Sequence, residues 1–396
     1  MRSCFVVKCL RLIPAVLGIA ALFVTCAYAG APNQAHRERL RAVVEDVVRP
    51  IMDEHDIPGV AVAVTVGGSP YFFNFGVASR DDGRGVSERT IFEIGSISKT
   101  FTATLASYAQ EVGALSLSDP ASDYLPGLRG SRFDGISLLE LGTYTAGGLP
   151  LQFPDNVTAQ GMTSYYRNWR PDFAPATHRR YSNPSIGLFG FLAAERLGKP
   201  FDELMEAKLF PMLGLPDTYI RVPTARMKDY AFGYSKEGKP IRVGPGVLDS
   251  EAYGVKTSSA DLLRFVELNM TSAGLDEALR RAIKATHTGY YRVGAMTQGL
   301  GWELYDDPDD LKQVLAGNSA EIAYKPNKVE WFSPARHPRE AGLINKTGST
   351  NGFGAYAAFI PAKKIGVVIL ANRNYPIPAR VTAAHRILIG AGALPF

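Results

Sequence analysis

The stretch Ser96-Ile97-Ser98-Lys99 carries an alcohol and an amine at a spacing that suits nucleophilic catalysis. If a helix begins here, residues three apart share one face at about 5–6 Å, so the Lys99 amine can lie beside the Ser96 hydroxyl. The free N–H groups and positive end of that helix would lower the pKa of a nearby lysine and favour an oxyanion. The pattern predicts Ser96 as a nucleophile and Lys99 as its proton-transfer partner. A serine-rich helix start with a solvated lysine is the structural alternative.

A second motif, Lys346-Thr347-Gly348, lies in a predicted strand and occurs once in the chain. Alternation along a strand places Lys346 and Gly348 on one face, where a cation and a low backbone can meet a substrate. A serine hydrolase without a histidine base needs a second proton carrier, a cationic environment and an oxyanion site. The motif can supply much of this, although an ordinary strand ending in a polar turn would contain the same residues.

The pattern Tyr-x-Asn occurs twice, at Tyr166-Arg167-Asn168 and at Tyr181-Ser182-Asn183. The first copy lies among aromatic and charged residues typical of an amphipathic helix. The second lies in a loop just before a helix predicted over 186–197, where side chains can project into a cleft. We therefore predict Tyr181 and Asn183 as site residues, and Asn183 could also cap that helix ahead of Pro184.

Strands from both ends of the chain are expected to position these motifs. Hydrophobic periodicity and turn signals predict, in chain order, a helix over 37–53, strands over 59–66, 71–77, 341–349, 352–360 and 365–371, and a final helix over 378–390. This pattern predicts an α/β (α+β) fold whose antiparallel sheet comes from both chain ends and is flanked by helices. The α/β part would cover about 30–95 and 320–396, with a mostly helical domain inserted at about 96–320.

The first 29 residues have the pattern of an export signal. Arg2, Lys8 and Arg11 give a positive start, an apolar run follows over 12–24, and Ala27-Tyr28-Ala29 supplies an A-x-A cleavage site. All three cysteines lie in this signal peptide, so the remaining domain, 30–396, has no thiol to pair in an oxidising compartment. We expect a periplasmic monomer without a stable membrane anchor.

The charge and the placement of the histidines count against nucleic-acid binding, a metallohydrolase and a Ser-His-Asp hydrolase. The signal peptide contributes positive charge to the formal net charge of +5, and no basic run or basic patch with interleaved aromatic residues indicates nucleic acid. The six histidines never fall at metal-ligand spacing, and neither H-E-x-x-H nor H-x-H occurs. The segment Asn183-Pro184-Ser185-Ile186-Gly187 lacks the first glycine of a G-x-S-x-G elbow. A metallohydrolase is therefore disfavoured, and a Ser-His-Asp triad is weakened.

Together and in this order, the three motifs resemble those of the serine β-lactamase and penicillin-binding-protein superfamily. Longer stretches are similar to class C (AmpC-type) β-lactamases, at 92–101 (FEIGSISKTF), 143–154, 248–256 and 346–350. Class A enzymes instead carry S-D-N and a deacylating glutamate, and Glu267-Leu268-Asn269 has Phe265 where that glutamate would stand. The resemblance implies a cephalosporinase that confers β-lactam resistance, on the two-domain fold inferred above.

The resemblance also implies roles for individual residues. Ser96 would take the acyl group from the β-lactam amide and pass it to water, while Lys99 and Tyr181 share the proton transfers. The backbone N–H groups of Ser96 and Ser349 would form the oxyanion hole. Gln152 and Asn183 would bind the substrate side-chain amide, and Tyr253 would form a wall of the acyl pocket. The substrate carboxylate would be bound by Lys346 and Thr347, which precede Gly348 in the motif, and by Asn374 and Arg380. No metal or organic cofactor is implied, and the partner is a small-molecule β-lactam.

Two residues depart from the commonest class C pattern. Ile377 stands where asparagine is frequent, and Asn351 follows Ser-Thr where glycine is frequent, so both affect the expected recognition of the carboxylate. A D-alanyl-D-alanine carboxypeptidase would carry the same three motifs and differ mainly in slow deacylation. Related serine esterases often lose K-T-G, so the intact motif and Gln152 count against an esterase.

Overall fold

The computed structural model of the chain describes residues 34–337 and 339–392. The predicted signal peptide and its cysteines lie outside the described residues. Nine strands form one antiparallel sheet, numbered here in chain order: β1 Gly59–Val66, β2 Ser69–Gly76, β3 Gly289–Val293, β4 Met296–Gln298, β5 Glu303–Tyr305, β6 Glu330–Arg336, β7 Leu343–Ser349, β8 Gly354–Ile360 and β9 Ile365–Ala371. Their spatial order is β6-β3-β4-β5-β7-β8-β9-β1-β2.

The two chain ends meet in the sheet through the pairing of β1 with β9, in which Val60 lies opposite Ala371 and Val66 opposite Ile365. β1 and β2 form the predicted hairpin, and β7, β8 and β9 follow as a meander. The prediction of an antiparallel sheet built from both chain ends is confirmed.

Four strands of the sheet, β3, β4, β5 and β6, were not predicted. β3, β4 and β5 lie between Gly289 and Tyr305, inside the segment expected to be mostly helical, and β5 pairs with β7. They are three to five residues long, and such short runs give little periodicity to recognise. The sheet therefore reaches further into the chain than the strands of the two ends alone.

The longer helices cover both faces of the sheet and fill the inserted region. They are α1 Gln34–Glu54, α2 Ser98–Glu111, α3 Asn183–Arg196, α4 Ser259–Thr271, α5 Glu277–Thr286 and α6 Ile377–Gly390. Shorter helices lie at Ala121–Tyr124, Leu138–Gly142, Met162–Asn168, Phe201–Leu204, Met205–Leu209, Phe210–Leu213, Asp249–Tyr253, Leu311–Gly317 and Ala320–Tyr324. None of the helices in the described part of the chain combines the length and apolar composition needed to cross a bilayer.

Side chains along β1 alternate between two hydrophobic cores. Val60, Val62 and Val64 pack with α1 and α6, whereas Ala61 and Ala63 face the core that contains α4 and part of α2. Successive strand residues point to opposite faces, so an all-apolar strand such as β1 must be covered on both sides. In the second core, Phe101 of α2 stacks on Phe265 of α4 with ring centres 4.0 Å apart. This contact fixes the start of α2 against the sheet.

Candidate active site

Ser96 lies in a single 3₁₀ turn, Gly95–Ile97, which runs directly into α2. Lys99, in the first turn of α2, is fully buried, and its Nζ donates a hydrogen bond to Ser96 Oγ at 3.1 Å. It donates another to the carbonyl oxygen of Ala252 at 2.7 Å. The structure thus brings the hydroxyl and the amine together as the spacing predicted.

Two glycines allow the nucleophile turn to touch the end of β7. Gly95 has φ +49°, and a Cβ there would lie 2.4 Å from the Ser349 carbonyl oxygen. A Cβ on Gly348 would lie 1.9 Å from the carbonyl oxygen of Ile94. Real Cβ atoms cannot approach so closely, so glycine is required at both positions. The contact places the backbones of Ser96 and Ser349 side by side.

Tyr181 lies among three cations. Distances to its ring centre are 5.1 Å from Lys99 Nζ, 5.3 Å from Lys346 Nζ and 5.4 Å from Arg179 Cζ. Burial raises the pKa of Tyr181, but the charges of Lys346 and Lys99 and the nearby Ser96 side chain outweigh it and hold this pKa below the ordinary value. The hydroxyl is buried, and no hydrogen bond of good geometry to it is found within the described residues. A lowered pKa favours the phenolate form of Tyr181, and a phenolate can accept a proton.

The two lysines differ in their electrostatics. Burial lowers the pKa of Lys99, and the charge of Lys346 lowers it further, against the opposing effect of Tyr181. Burial also acts to lower the pKa of Lys346, but the Glu303 carboxylate, 3.0 Å from its Nζ, reverses the effect, so the pKa of Lys346 lies above its ordinary value. The charged form of Lys346 is therefore favoured, and Lys99 is the more readily deprotonated of the two.

A cleft of about 330 Å³ opens over these groups. Its lining contains every predicted site residue except Lys99, which lies beneath Ser96, and Arg380; these are Ser96, Gln152, Tyr181, Asn183, Tyr253, Lys346, Thr347, Gly348, Ser349 and Asn374. Ile377 and Asn351, the two departures from the common pattern, line it as well. Glu267 and Asn269 lie in α4 and are not part of the lining.

The cap of α3 differs from the prediction. The helix begins at Asn183, and the residue that caps it is Ser182, whose Oγ accepts a hydrogen bond from the Ser185 N–H at 3.0 Å. Serine and asparagine cap helices about equally well, so sequence alone could not choose between neighbours. The side-chain oxygen of Asn183 is left without a hydrogen-bond partner among the described residues. Asn183 also lines the cleft.

Arg380 does not line the cleft, contrary to the direct carboxylate contact predicted for it. Its side chain is fully buried between α6 and the sheet. The guanidinium donates to the Gly348 carbonyl oxygen at 2.7 Å, to Ser349 Oγ at 3.0 Å and to Asn374 Oδ1 at 2.9 Å, and also to the Tyr375 carbonyl oxygen. Arg380 therefore holds residues that line the cleft, instead of facing it.

Replacing Arg380 with alanine is expected to lower the free energy of unfolding by about 2–4 kcal/mol, because several buried acceptors lose their donor. If the cleft binds a substrate carboxylate, as the sequence predicts, kcat and KM should change equally for a substrate acid and for its ester, since the substitution acts through the end of β7. Arg386→Ala is the control, because Arg386 lies on the same helix and is exposed, paired with Asp46. Denaturant unfolding and paired kinetics check both points. A stable variant with a raised KM for the acid alone would restore the direct contact.

Two charged residues of the site were missed in the sequence. Glu303 accepts the hydrogen bond from Lys346 and lies 4.0 Å from Arg179 Nη2, and all three side chains are nearly fully buried. Arg179 also donates to Gln298 Oε1 at 2.9 Å. Glu303 could have been recognised in the sequence from its position between the apolar residues Trp302 and Leu304. A carboxylate that is buried among apolar residues needs a cationic partner.

Potential metal ligands do not gather in this cleft. Within residues 34–337 and 339–392, no three His, Cys, Asp or Glu side chains lie close enough together to hold a metal ion. What the arrangement offers is an alcohol, an amine beneath it, a phenol of lowered pKa, a fixed ammonium group and two adjacent backbones. This set suits acyl transfer to a serine.

The sequence was compared with protein-family models and with known proteins, and both comparisons match it to β-lactamases. The family model described as Beta-lactamase matches residues 44–392. A β-lactamase of Pseudomonas fluorescens is 58% identical over 350 residues, which are 88% of this chain and 98% of that protein.

Solved structures agree with this comparison. A class C β-lactamase in complex with cefoxitin superposes with a TM-score of 0.87 at 46% identity, covering 89% of this chain and 99% of that one. A protein described as the D-alanine carboxypeptidase AmpC of Burkholderia cenocepacia superposes with a TM-score of 0.85 at 50% identity, with the same two coverages.

Proposed function

Because the chain belongs to the β-lactamase family and is similar to its class C enzymes along nearly all the described length, we propose that it hydrolyses β-lactams through a covalent acyl-Ser96 intermediate. The observation that carries this mechanism is the Ser96 hydroxyl, hydrogen-bonded to buried Lys99 beneath a tyrosine of lowered pKa. The enzyme is a serine β-lactamase, and the roles below belong to the proposal.

Acylation begins with the transfer of the Ser96 hydroxyl proton to the Tyr181 oxygen in its phenolate form, which the lowered pKa of Tyr181 favours. Lys99 donates to Ser96 Oγ and stabilises the charge that develops there. The Ser96 oxygen attacks the β-lactam carbonyl carbon, and the carbonyl oxygen becomes an oxyanion that accepts hydrogen bonds from the backbone N–H groups of Ser96 and Ser349. Collapse of this intermediate breaks the carbon–nitrogen bond, and the ring nitrogen takes the proton from Tyr181.

Deacylation repeats these transfers with water. Tyr181 accepts a proton from a water molecule, the resulting hydroxide attacks the ester carbon, and the proton returns to Ser96 Oγ as the ester bond breaks. Tyr181 is the phenol flanked by Lys99 and Lys346, whose charges lower its pKa. It is therefore the group we assign to both half-reactions.

The remaining residues of the cleft hold the substrate. Gln152 and Asn183 are placed to bind its side-chain amide, and Tyr253 forms a wall of the acyl pocket. Lys346, whose positive charge is favoured by Glu303, attracts the substrate carboxylate together with Thr347 and Asn374. The free Oδ1 of Asn183 supports its role, since an amide N–H on the substrate can satisfy it.

A D-alanine carboxypeptidase is the second candidate, because one structure of 50% identity carries that name. Both enzymes would acylate Ser96, so they differ in the rate at which water removes the acyl group. The two can be separated only by turnover.

We expect rapid, repeated hydrolysis of an early cephalosporin by the purified protein, with deacylation limiting for bulkier drugs. The reason is that Tyr181 remains available to activate water after acylation. A stopped-flow trace at substrate excess measures this directly. A burst of about one equivalent per enzyme, followed by almost no hydrolysis of any β-lactam and by release of D-alanine from a D-Ala-D-Ala peptide, would make the protein a peptidase.

We also assign the enzyme to the periplasm as a monomer whose signal peptide is removed after about Ala29. The export pattern of residues 1–29 supports the location. Among the described residues, the large apolar side chains that are exposed are scattered, at Val112, Met227 and Tyr324, which supports a monomer. N-terminal sequencing of the exported protein and its sedimentation coefficient test the two assignments.

A further inference from the structure

Glu93, three residues before Ser96, carries a carboxylate that is buried and fully engaged. Glu93 is 2% exposed and ends a short strand, Ile91–Glu93, that leads into the nucleophile turn. Its Oε1 accepts hydrogen bonds from the Tyr230 hydroxyl at 2.6 Å and from the Val243 N–H at 2.8 Å. Its Oε2 accepts one from the Thr350 hydroxyl at 2.6 Å. One side chain therefore joins three separate segments.

These partners are neutral donors. No ion pair to Glu93 is found in the part of the chain that the structure describes, although Arg242 and Lys256 lie near enough to feel its charge. Burial raises the pKa of Tyr230, and the charge of Glu93 raises it further, so Tyr230 stays a donor. Hydrogen bonds to an ionised acceptor are short and directional. A buried carboxylate that accepts three such hydrogen bonds fixes the positions of its three partners relative to one another.

Two of the three partners border the cleft. Val243 lines it three residues before Gly246, where a Cβ would lie 2.8 Å from the Tyr253 hydroxyl oxygen. Thr350 lines it directly after Ser349, whose N–H is assigned to the oxyanion hole. The backbone of Glu93 pairs with Lys256, and the N–H of Ile94 donates to the Val255 carbonyl oxygen at 3.3 Å. The carboxylate is thus tied to the nucleophile turn, the end of β7 and the wall of the acyl pocket at once.

We propose that Glu93 is a positioning residue for acyl transfer, which sets the Ser349 N–H against Ser96 through its hydrogen bond to Thr350. The inference rests on the proposed acyl-Ser96 mechanism and adds to it a residue that touches neither substrate nor reacting atoms. Oε1 holds the acyl-pocket side through Val243, and Oε2 holds the oxyanion side through Thr350. The two sides can therefore be separated by mutation.

Thr350→Val removes the oxyanion-side contact and keeps the size of the side chain. We expect kcat to fall about tenfold, less than the loss of an oxyanion donor itself would cause, while KM changes little. A boronic acid probes the same geometry, because Ser96 adds to its boron and one boron-bound oxygen enters the oxyanion hole. Its affinity should fall by a similar factor.

Three further variants complete the test. Thr350→Ser keeps the hydroxyl and should recover most of the loss. Tyr230→Phe removes a donor that does not border the cleft, so it should lower Tm while kcat and boronic acid affinity stay within about twofold, as for changes outside the transition-state contacts. Glu93→Gln can still accept a hydrogen bond from the Val243 N–H and can donate one to Thr350 Oγ1. Its kcat and boronic acid affinity should therefore lie closer to the wild-type values than those of Glu93→Ala.

The outcomes separate this inference from the mechanism on which it rests. Equal boronic acid affinity and kcat for wild type and Thr350→Val, with Tm lowered as in Tyr230→Phe, would reduce Glu93 to a purely structural role. Boronic acid binding that survives Ser96→Ala would instead overturn the acyl-Ser96 mechanism. The positioning role is supported if Thr350→Val lowers kcat and boronic acid affinity, Thr350→Ser restores both, and Tyr230→Phe stays active.

Discussion

Replacing Ser96 with alanine should lower kcat for any β-lactam by a factor on the order of 10⁶, as expected for the nucleophile of a covalent mechanism. The reason is that the Lys99 amine is hydrogen-bonded to this oxygen and that the Ser349 backbone lies against Gly95 in the same turn. The variant should still fold, since removal of a half-exposed hydroxyl leaves both hydrophobic cores intact. Steady-state hydrolysis and a thermal melt measure the two effects.

Ser185→Ala is the matched control for this variant. Ser185 is the serine of the incomplete elbow sequence, and its Oγ donates to the Leu141 carbonyl oxygen at 2.8 Å, joining α3 to the short helix Leu138–Gly142. We expect a modest loss of stability and nearly unchanged kcat. If Ser185→Ala were the inactive variant and Ser96→Ala the active one, the nucleophile would have been assigned to the wrong motif.

Tyr181→Phe should lower kcat by roughly 10²–10⁴, the usual contribution of a general acid or base. The phenyl ring preserves the packing against Tyr144 and the contacts with Lys99 and Lys346, so the loss reports the hydroxyl alone. Both acylation and deacylation should slow, because the same oxygen serves both. Single-turnover and steady-state rates separate the two steps.

Tyr166→Phe tests whether the correct copy of Tyr-x-Asn was chosen. Tyr166 is fully buried in Met162–Asn168, and its hydroxyl donates to the Pro184 carbonyl oxygen at 2.7 Å. Its loss should lower Tm and leave kcat nearly unchanged. The opposite ranking of the two tyrosine variants would mean that the site was built on the wrong motif.

The residues of the site that could be predicted from sequence are those whose function requires a fixed spacing or a particular residue type. Ser96 and Lys99 are three apart on a helix, and Gly348 follows Lys346 on one strand face. Their roles stay predictions, but the structure places them around one cleft. The strands at both chain ends were likewise visible, because β1, β8 and β9 are long apolar runs with clear turns between them.

What could not be predicted depends on contacts between distant segments. Arg380 lies on the face of α6 that packs against the sheet, so its burial depends on how the helix is docked. Glu303 meets Lys346 only because β5 pairs with β7. The role of Glu93 requires three partners more than 130 residues away, and no local pattern encodes them.

Acylation of Ser96 can be observed by mass spectrometry after the protein is mixed with a slowly hydrolysed β-lactam. Cleavage at Arg89 and Lys99 yields the peptide 90–99, and fragmentation distinguishes Ser96 from Ser98 within it. We expect a single adduct on Ser96 and none in Ser96→Ala. An adduct on any other residue, or an undiminished adduct in the alanine variant, would contradict this expectation.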